Sequence, residues 1–343
     1  MRKLLNTLFV LSEDSYLSLD GENVVVLRGE TETGRFPLHT LESILCFSYK
    51  GASPALMGAC AARNVSLCFL TPRGRFLARV SGETRGNVLL RKEQYRRSDD
   101  PHASALAARC FLAGKVYNCR GVLERAKRDH ALRIDADAVQ RASDALATGL
   151  SELSACSDLD RLRGLEGECA LRYFGVFDQL ILQNKGAFFF QARSRRPPLD
   201  RMNALLSFLY TLLAHDCVSA LETVGLDPYV GFLHRDKPGR TSLALDLMEE
   251  LRPVLADRFA LTLVNNRVVQ PGQFQTRENG AVLLDESGRK AVLAAWQERK
   301  REVITHPFLE EKLPWGLVPY VQALLFARFL RDDLDAYPPL LWK

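Results

Sequence analysis

Residues 91–101, Arg-Lys-Glu-Gln-Tyr-Arg-Arg-Ser-Asp-Asp-Pro, separate two stretches of chain whose apolar residues recur at different spacings. Toward the N-terminus the apolar runs are short and rich in β-branched and aromatic residues. Residues 4–11, 16–19, 24–28, 43–47 and 65–70 read as strands. Turns fall at Asp20-Gly21, Gly29-Glu30 and Gly34, and at Pro72-Arg73-Gly74 before a further strand over 76–80. One helix interrupts them at 54–63, with Ala55, Leu56, Ala59 and Cys60 as its apolar stripe. Toward the C-terminus the spacing becomes 3.6 residues, over 103–128, 135–147, 158–182, 201–224, 242–259 and 315–333. A short strand at 281–285 precedes a turn at Ser287-Gly288. The charged, proline-closed segment therefore reads as a domain boundary. The expected fold is α+β: a small β-rich N-terminal domain over residues 1–97, then a larger, mostly α-helical domain over 98–343.

A chain of 343 residues with 47% hydrophobic and 9% aromatic residues has enough apolar side chain for two cores and too much for disorder. Its net charge of +5, from 46 basic and 41 acidic residues, permits a nucleic-acid partner without requiring one. Basic clusters at Arg91/Lys92/Arg96/Arg97, Arg125/Lys127/Arg128 and Arg193/Arg195/Arg196 are either solvated surfaces or parts of one DNA path. The eight cysteines form no CxxC pair and most sit in apolar runs, as expected of buried thiols in a cytoplasmic protein. Asn6, Thr7, Ser12, Glu13 and Asp14 break the N-terminal apolar stretch, which reads as a strand rather than a signal peptide. No run is expected to approach the roughly 18 apolar residues of a membrane span.

Two segments carry candidate chemistry. In the helix around Gly164-Leu165-Glu166-Gly167, Leu162, Ala170, Tyr173 and Phe177 make an apolar stripe, and Glu166 falls on it while Glu168, Arg172 and Gln179 fall elsewhere. A carboxylate there must be protonated, paired or metal-bound, unless it reaches water at the edge of the stripe. In the segment 227–253, His234 ends an apolar run and Ser242 is a candidate cap for the next helix. Asp246, Glu249 and Glu250 share a face of that helix, opposite Leu247, Met248, Leu251, Val254 and Leu255. Either this is a solvated acidic face with an incidental histidine, or one imidazole and several carboxylates form a ligand set. Such a set suits Mg2+ or Mn2+, with the imidazole favouring Mn2+. His39, His102, His130, His215 and His306 read as caps, packing or surface residues.

The stretches GNVLLRKEQYRRSDDP (86–101), LAGKVYNCRGVLER (112–125), LRGLEGECALRYF (162–174), PPLDRMNALLSFLYTLL (197–213), GLDPYVGFLH (225–234), SLALDLMEELRPVLADR (242–258), Val264-Asn265-Asn266-Arg267 and VQALLFARFLR (321–331) follow one another in the order of a known family. Together they resemble the CRISPR-associated adaptation integrases, the first of the universal CRISPR-associated proteins, and the loops resemble the subtype I-C branch. The resemblance implies that Glu166, His234 and Glu249 are the metal-ligating and catalytic residues, with Asp246 an accessory acid and Glu168 and Glu250 bystanders. It implies a metal-dependent DNA integrase and endonuclease that uses Mn2+ or Mg2+ to insert spacer DNA by attack of a 3′-hydroxyl on a phosphodiester. It also implies homodimers joined through the β-rich domain, double-stranded DNA as substrate, and a small ferredoxin-like subunit bridging two dimers. A metal-dependent nuclease of DNA repair and a non-catalytic DNA-binding scaffold are the alternatives.

Overall fold

The computed structural model describes residues 6–71, 76–82 and 88–342; the turn expected at Pro72-Arg73-Gly74 lies outside the described residues. The chain forms two compact units. The first comprises Met1–Arg85, Leu284–Ile304 and Pro314–Leu317, and the second Gly86–Leu283, Thr305–Leu313 and Val318–Lys343. The architecture is α+β, strands dominating the first unit and helices the second.

In the first unit, β1 (Asn6–Val10), β2 (Ser15–Asp20), β3 (Asn23–Arg28), β4 (Thr31–Pro37), β5 (Leu41–Cys46), β6 (Ser66–Leu70) and β7 (Phe76–Val80) form two sheets. One is the antiparallel meander β2-β3-β4; the other has the order β1-β5-β6-β7. β5 and β6 are parallel, so the chain must cross over between them, and α1 (Pro54–Ala62) is that crossover. Ser53 caps α1, accepting from the Leu56 amide at 3.2 Å, and Pro54 starts it. Leu17, Val24, Ile44, Cys46, Leu56, Cys60 and Leu67 fill the core. β4 is an outer strand with little of its surface buried.

The helix Glu286–Arg301 also belongs to this unit, although local periodicity assigns those residues only a turn. Asp285 caps it by accepting from the Gly288 amide at 2.7 Å, so Ser287-Gly288 is its first turn. Val292, Leu293 and Trp296 are buried, and Gln297 donates to the Thr7 carbonyl at 2.9 Å.

The second unit is built on α3 (Pro101–His130), against which α4 (Ala136–Ala155), α5 (Leu159–Gly175) and α7 (Ser242–Leu251) pack. Aspartates start its helices: Asp100 accepts from His102, Asp135 from Ala138, Asp158 from Arg161 and Asp200 from Asn203. The expected boundary at residue 97 is displaced, because residues 88–99 form one helix, α2 (Val88–Asp99), within this unit. Its charges cover the outer face, while Leu90 and Gln94 are buried. Composition alone makes such a helix resemble a linker.

α6 (Arg201–Val224) has the length and mean hydropathy, 1.5, of a membrane span, which revises the expectation that no run approaches that limit. Its apolar residues are buried against α7 and the helix Val318–Leu330, so here it serves as a core helix. After α7 the chain continues through a π-helical turn, Arg252–Asp257, into α8 (Arg258–Asn265). Pro253 has no N–H to offer the carbonyl of Glu249, four residues back, and its ring crowds that carbonyl; the helix widens there instead of ending.

Candidate metal centre

Glu166 comes from α5, Glu249 from α7 and Lys115 from α3, and the three meet where those helices pack. The close approach of α3 and α7 depends on Gly114. A Cβ there would lie 2.7 Å from Glu250 Cβ and 2.9 Å from Pro339 Cβ. One residue on, the Lys115 ammonium bonds Glu166 Oε1 and lies 2.7 Å from Glu249 Oε2. Glu249 Oε1 in turn accepts from Arg252 at 2.7 Å. Its carboxyl is held below the usual range although burial opposes ionisation, because the charges of Arg252 and Lys115 outweigh that penalty. Lys115 is likewise buried, and the two glutamates hold it in the charged form.

His234 reaches the same place from the loop before α7, with Nε2 3.8 Å from Glu249 Oε1. Asp246 shapes that loop. Its Oδ2 accepts from the amides of Phe232 and Leu233 at 2.6 and 3.0 Å, and its Oδ1 from the amide of His234 at 3.0 Å and from His234 Nδ1 at 2.6 Å. The carboxylate can only accept, so Nδ1 carries the proton, and in the neutral ring Nε2 keeps its lone pair. Gly231 permits the tight turn, since a Cβ would stand 2.7 Å from Ser242 Cβ and 3.0 Å from Asp246 Oδ2. Gln94 anchors the preceding residues, donating to the carbonyls of Asp227 and Val230 at 2.8 and 2.9 Å and accepting from the Asp227 amide at 2.9 Å.

The solvated acidic face weighed for α7 does not exist: Asp246, Glu249 and Glu250 are all buried. Ser242 is not a cap; its hydroxyl donates to the Arg235 carbonyl at 3.2 Å. Glu168 is exposed. Glu250 points away from the others, accepting from Gln322 at 3.0 Å, from the Leu340 amide at 2.6 Å and from the Tyr337 hydroxyl. The structure thus brings Glu166 and Glu249 onto Lys115, places His234 next to Glu249, and gives Asp246 a bonding role around His234. Lys115, Arg252 and Gln94 were missed by sequence reasoning. A lysine on an otherwise apolar stretch of α3 was the only local signal for the first.

Among the described residues no three His, Cys, Asp or Glu side chains close to metal-binding geometry. The donor set nevertheless fits a hard divalent ion. Two carboxylates already converge on a single positive centre, the Lys115 ammonium, and an imidazole nitrogen stands 3.8 Å from the other oxygen of Glu249.

The basic clusters separate in kind. Arg125, Lys127 and Arg128 are paired with Glu124 and Asp129 along α3. Arg97 pairs with Glu93 and Asp332. Arg193 turns inward, toward Asn203 at 2.7 Å and the ring of Tyr210, while Arg195 and Arg196 are exposed.

The model of the family described as "CRISPR associated protein Cas1" matches residues 8–298. A CRISPR-associated endonuclease Cas1 of Rhodospirillum rubrum is 56% identical over 347 residues, with 100% of each chain covered. Among solved structures, a casposase bound to its integration product has a TM-score of 0.84 at 21% identity, over 99% of this chain and 95% of that one. A Cas6-RT-Cas1–Cas2 complex has a TM-score of 0.81 at 21% identity, over 100% of this chain and 36% of that one. At such identities the two structures speak for the fold alone.

Proposed function

Because the chain belongs to the family of the CRISPR-associated protein Cas1, we propose that it is a metal-dependent DNA integrase that joins the 3′-hydroxyl of an incoming DNA fragment to a phosphodiester of a CRISPR array. The observation that carries this reading is the convergence of Glu166 and Glu249 on one cationic centre, with His234 Nε2 3.8 Å from Glu249. Glu166, Glu249 and His234 would hold Mn2+ or Mg2+. When bound, the ion would supply Lewis-acid stabilisation of charge on the attacked phosphate and on the attacking or leaving oxygen.

The chain's own residues prepare that site. Asp246 fixes the tautomer and direction of His234. Arg252 and Lys115 keep Glu249 ionised in a dry setting. Gln94 and Gly231 hold the loop in register. In the reaction, one P–O bond forms to the incoming 3′-oxygen as the bond to the target strand's 3′-oxygen breaks, so no covalent enzyme intermediate arises. Water in place of the 3′-hydroxyl gives the endonuclease action for which the Rhodospirillum relative is named.

The same proposal extends to assembly. It takes double-stranded DNA as substrate, a homodimer built on the first unit, and a small ferredoxin-like subunit bridging two dimers, in the cytoplasm and in a subtype I-C system. β4, at the end of its sheet among the described residues, offers an edge for such a dimer, and a Cas6-RT-Cas1–Cas2 complex is the setting of one structural neighbour. The test supplies a repeat-bearing plasmid with fragments ending in 3′-hydroxyl or in 3′-deoxy ribose. Joining confined to the 3′-hydroxyl fragment and to reactions containing Mn2+ or Mg2+ is expected. Joining of the 3′-deoxy fragment, or joining in chelator, contradicts the proposal.

A further inference from the structure

The ring of Tyr210, on α6, is shared by two guanidiniums. The Cζ atoms of Arg193 and Arg252 each lie 5.1 Å from its centroid. Its hydroxyl donates to Asp257 at 2.6 Å. Arg252 also grips Glu249, so a continuous chain of interactions runs from Arg193 through Tyr210 and Arg252 to a carboxylate of the candidate centre. The helix is deformed to make this chain. In the π-helical turn, Arg258 N–H donates to Pro253 five residues back, and that wider winding brings Asp257 toward the side of Arg252, where both meet Tyr210. In an α-helix, residues five apart face different directions. The arrangement is costly: Nε of Arg193 and Nε of Arg252 are both buried without a hydrogen-bond partner among the described residues. Two buried guanidinium donors left unpaired around one ring are not what stability alone would select.

We propose that Tyr210 is a positioning residue: its ring, anchored on Asp257 and shared by Arg193 and Arg252, holds the Arg252 guanidinium against Glu249 and so sets the aim of that carboxylate. The consequence for metal binding rests on the reading of the site given above. Arg193 then belongs to this support and not to a DNA path.

The test uses the full-length protein and Mn2+ alone as probe, with calorimetric titration and thermal melting of each variant. Tyr210→Leu removes the ring and should weaken Mn2+ binding about 10–100-fold, the range for loss of an outer support of a metal ligand. Tyr210→Phe keeps the ring and should recover most of that affinity. Where Tyr210→Leu fails to fold, Arg193→Met replaces it with the same expected direction. A folded Tyr210→Leu that binds Mn2+ as tightly as wild type, or a Tyr210→Phe as weak as the leucine variant, overturns the proposal. Wild type without saturable Mn2+ binding sinks the metal reading instead. In that event a metal-free double-mutant cycle of Tyr210→Leu with Arg252→Met still decides whether the two side chains are coupled: non-additive losses of melting temperature support it, and additive losses overturn it.

Discussion

Asp246 Oδ1 accepts the Nδ1–H of His234 at 2.6 Å, and the rest of the same carboxylate is taken up by backbone amides of the loop that carries the histidine. Asp246 therefore directs a ligand and leaves Nε2 facing Glu249. Asp246→Asn keeps the shape but puts a donor among donors. It should cost about 2–4 kcal/mol of stability and lower activity and Mn2+ affinity together by about 10–100-fold. Denaturant unfolding and titration check this; a variant with wild-type affinity would show that the bond to Nδ1 is incidental.

Lys115 is paired with two carboxylates in a buried setting. Lys115→Met leaves their charges facing each other, and in metal-free protein it should cost about 3–5 kcal/mol. Added Mn2+ should restore more melting temperature to the variant than to wild type, because a divalent ion supplies the missing charge. Equal gains in the two proteins would speak against a shared position.

Glu250 and Asp257 give the fold a pH dependence. Burial pushes their carboxyls up to about 7 and about 6. Both bind a proton more tightly folded than unfolded, so the stability they contribute is full below the unfolded values near 4 and is lost as pH rises toward 7. The loss from Glu250 is on the order of 3 kcal/mol. Wild type should melt lower at pH 8 than at pH 5.5, and Glu250→Gln, although less stable throughout, should fall less over that interval. A variant with the wild-type slope would remove Glu250 from the account.

Much of this site is legible in local sequence. Glu166 stands on an apolar stripe, His234 closes an apolar run, and the Asp246–Glu249 spacing puts both on one side of a helix. What stays hidden depends on which helices meet. Glu249 and Glu250 are adjacent and look alike; the packing of α3 and α7 sends one to the centre and the other to Tyr337 and Leu340. Lys115 reads as a lysine reaching for water until α5 and α7 are placed beside it. Gln94 sits in the charged stretch that reads as a linker, because a helix with two inward residues has the composition of a loop. The helix Glu286–Arg301 escapes for a different reason: part of what holds it is β1, nearly the whole chain length away, where Gln297 donates to the Thr7 carbonyl.

The arginine cluster at 193–196 now divides into two predictions. Neutralising Arg195 and Arg196, both exposed, should reduce the salt dependence of DNA binding by up to about 0.9 in slope for each phosphate left without its arginine. Neutralising Arg193, which faces Tyr210, should change stability more than that slope. Affinities measured across a salt series separate the two; equal effects on the slope would place Arg193 on the DNA path.

Glu166 is expected to serve the chemistry more than the fold, because Glu249 still faces Lys115 when Glu166 is removed. The most direct measurement compares wild type with Glu166→Ala in strand transfer of a 3′-hydroxyl DNA fragment into a repeat-bearing target with Mn2+, alongside DNA affinity and melting temperature of both proteins. Joined product is expected from wild type only, with DNA affinity nearly unchanged and the variant folded but melting lower, because Lys115 keeps only Glu249 as its partner. Joined product from Glu166→Ala at the wild-type rate would contradict it.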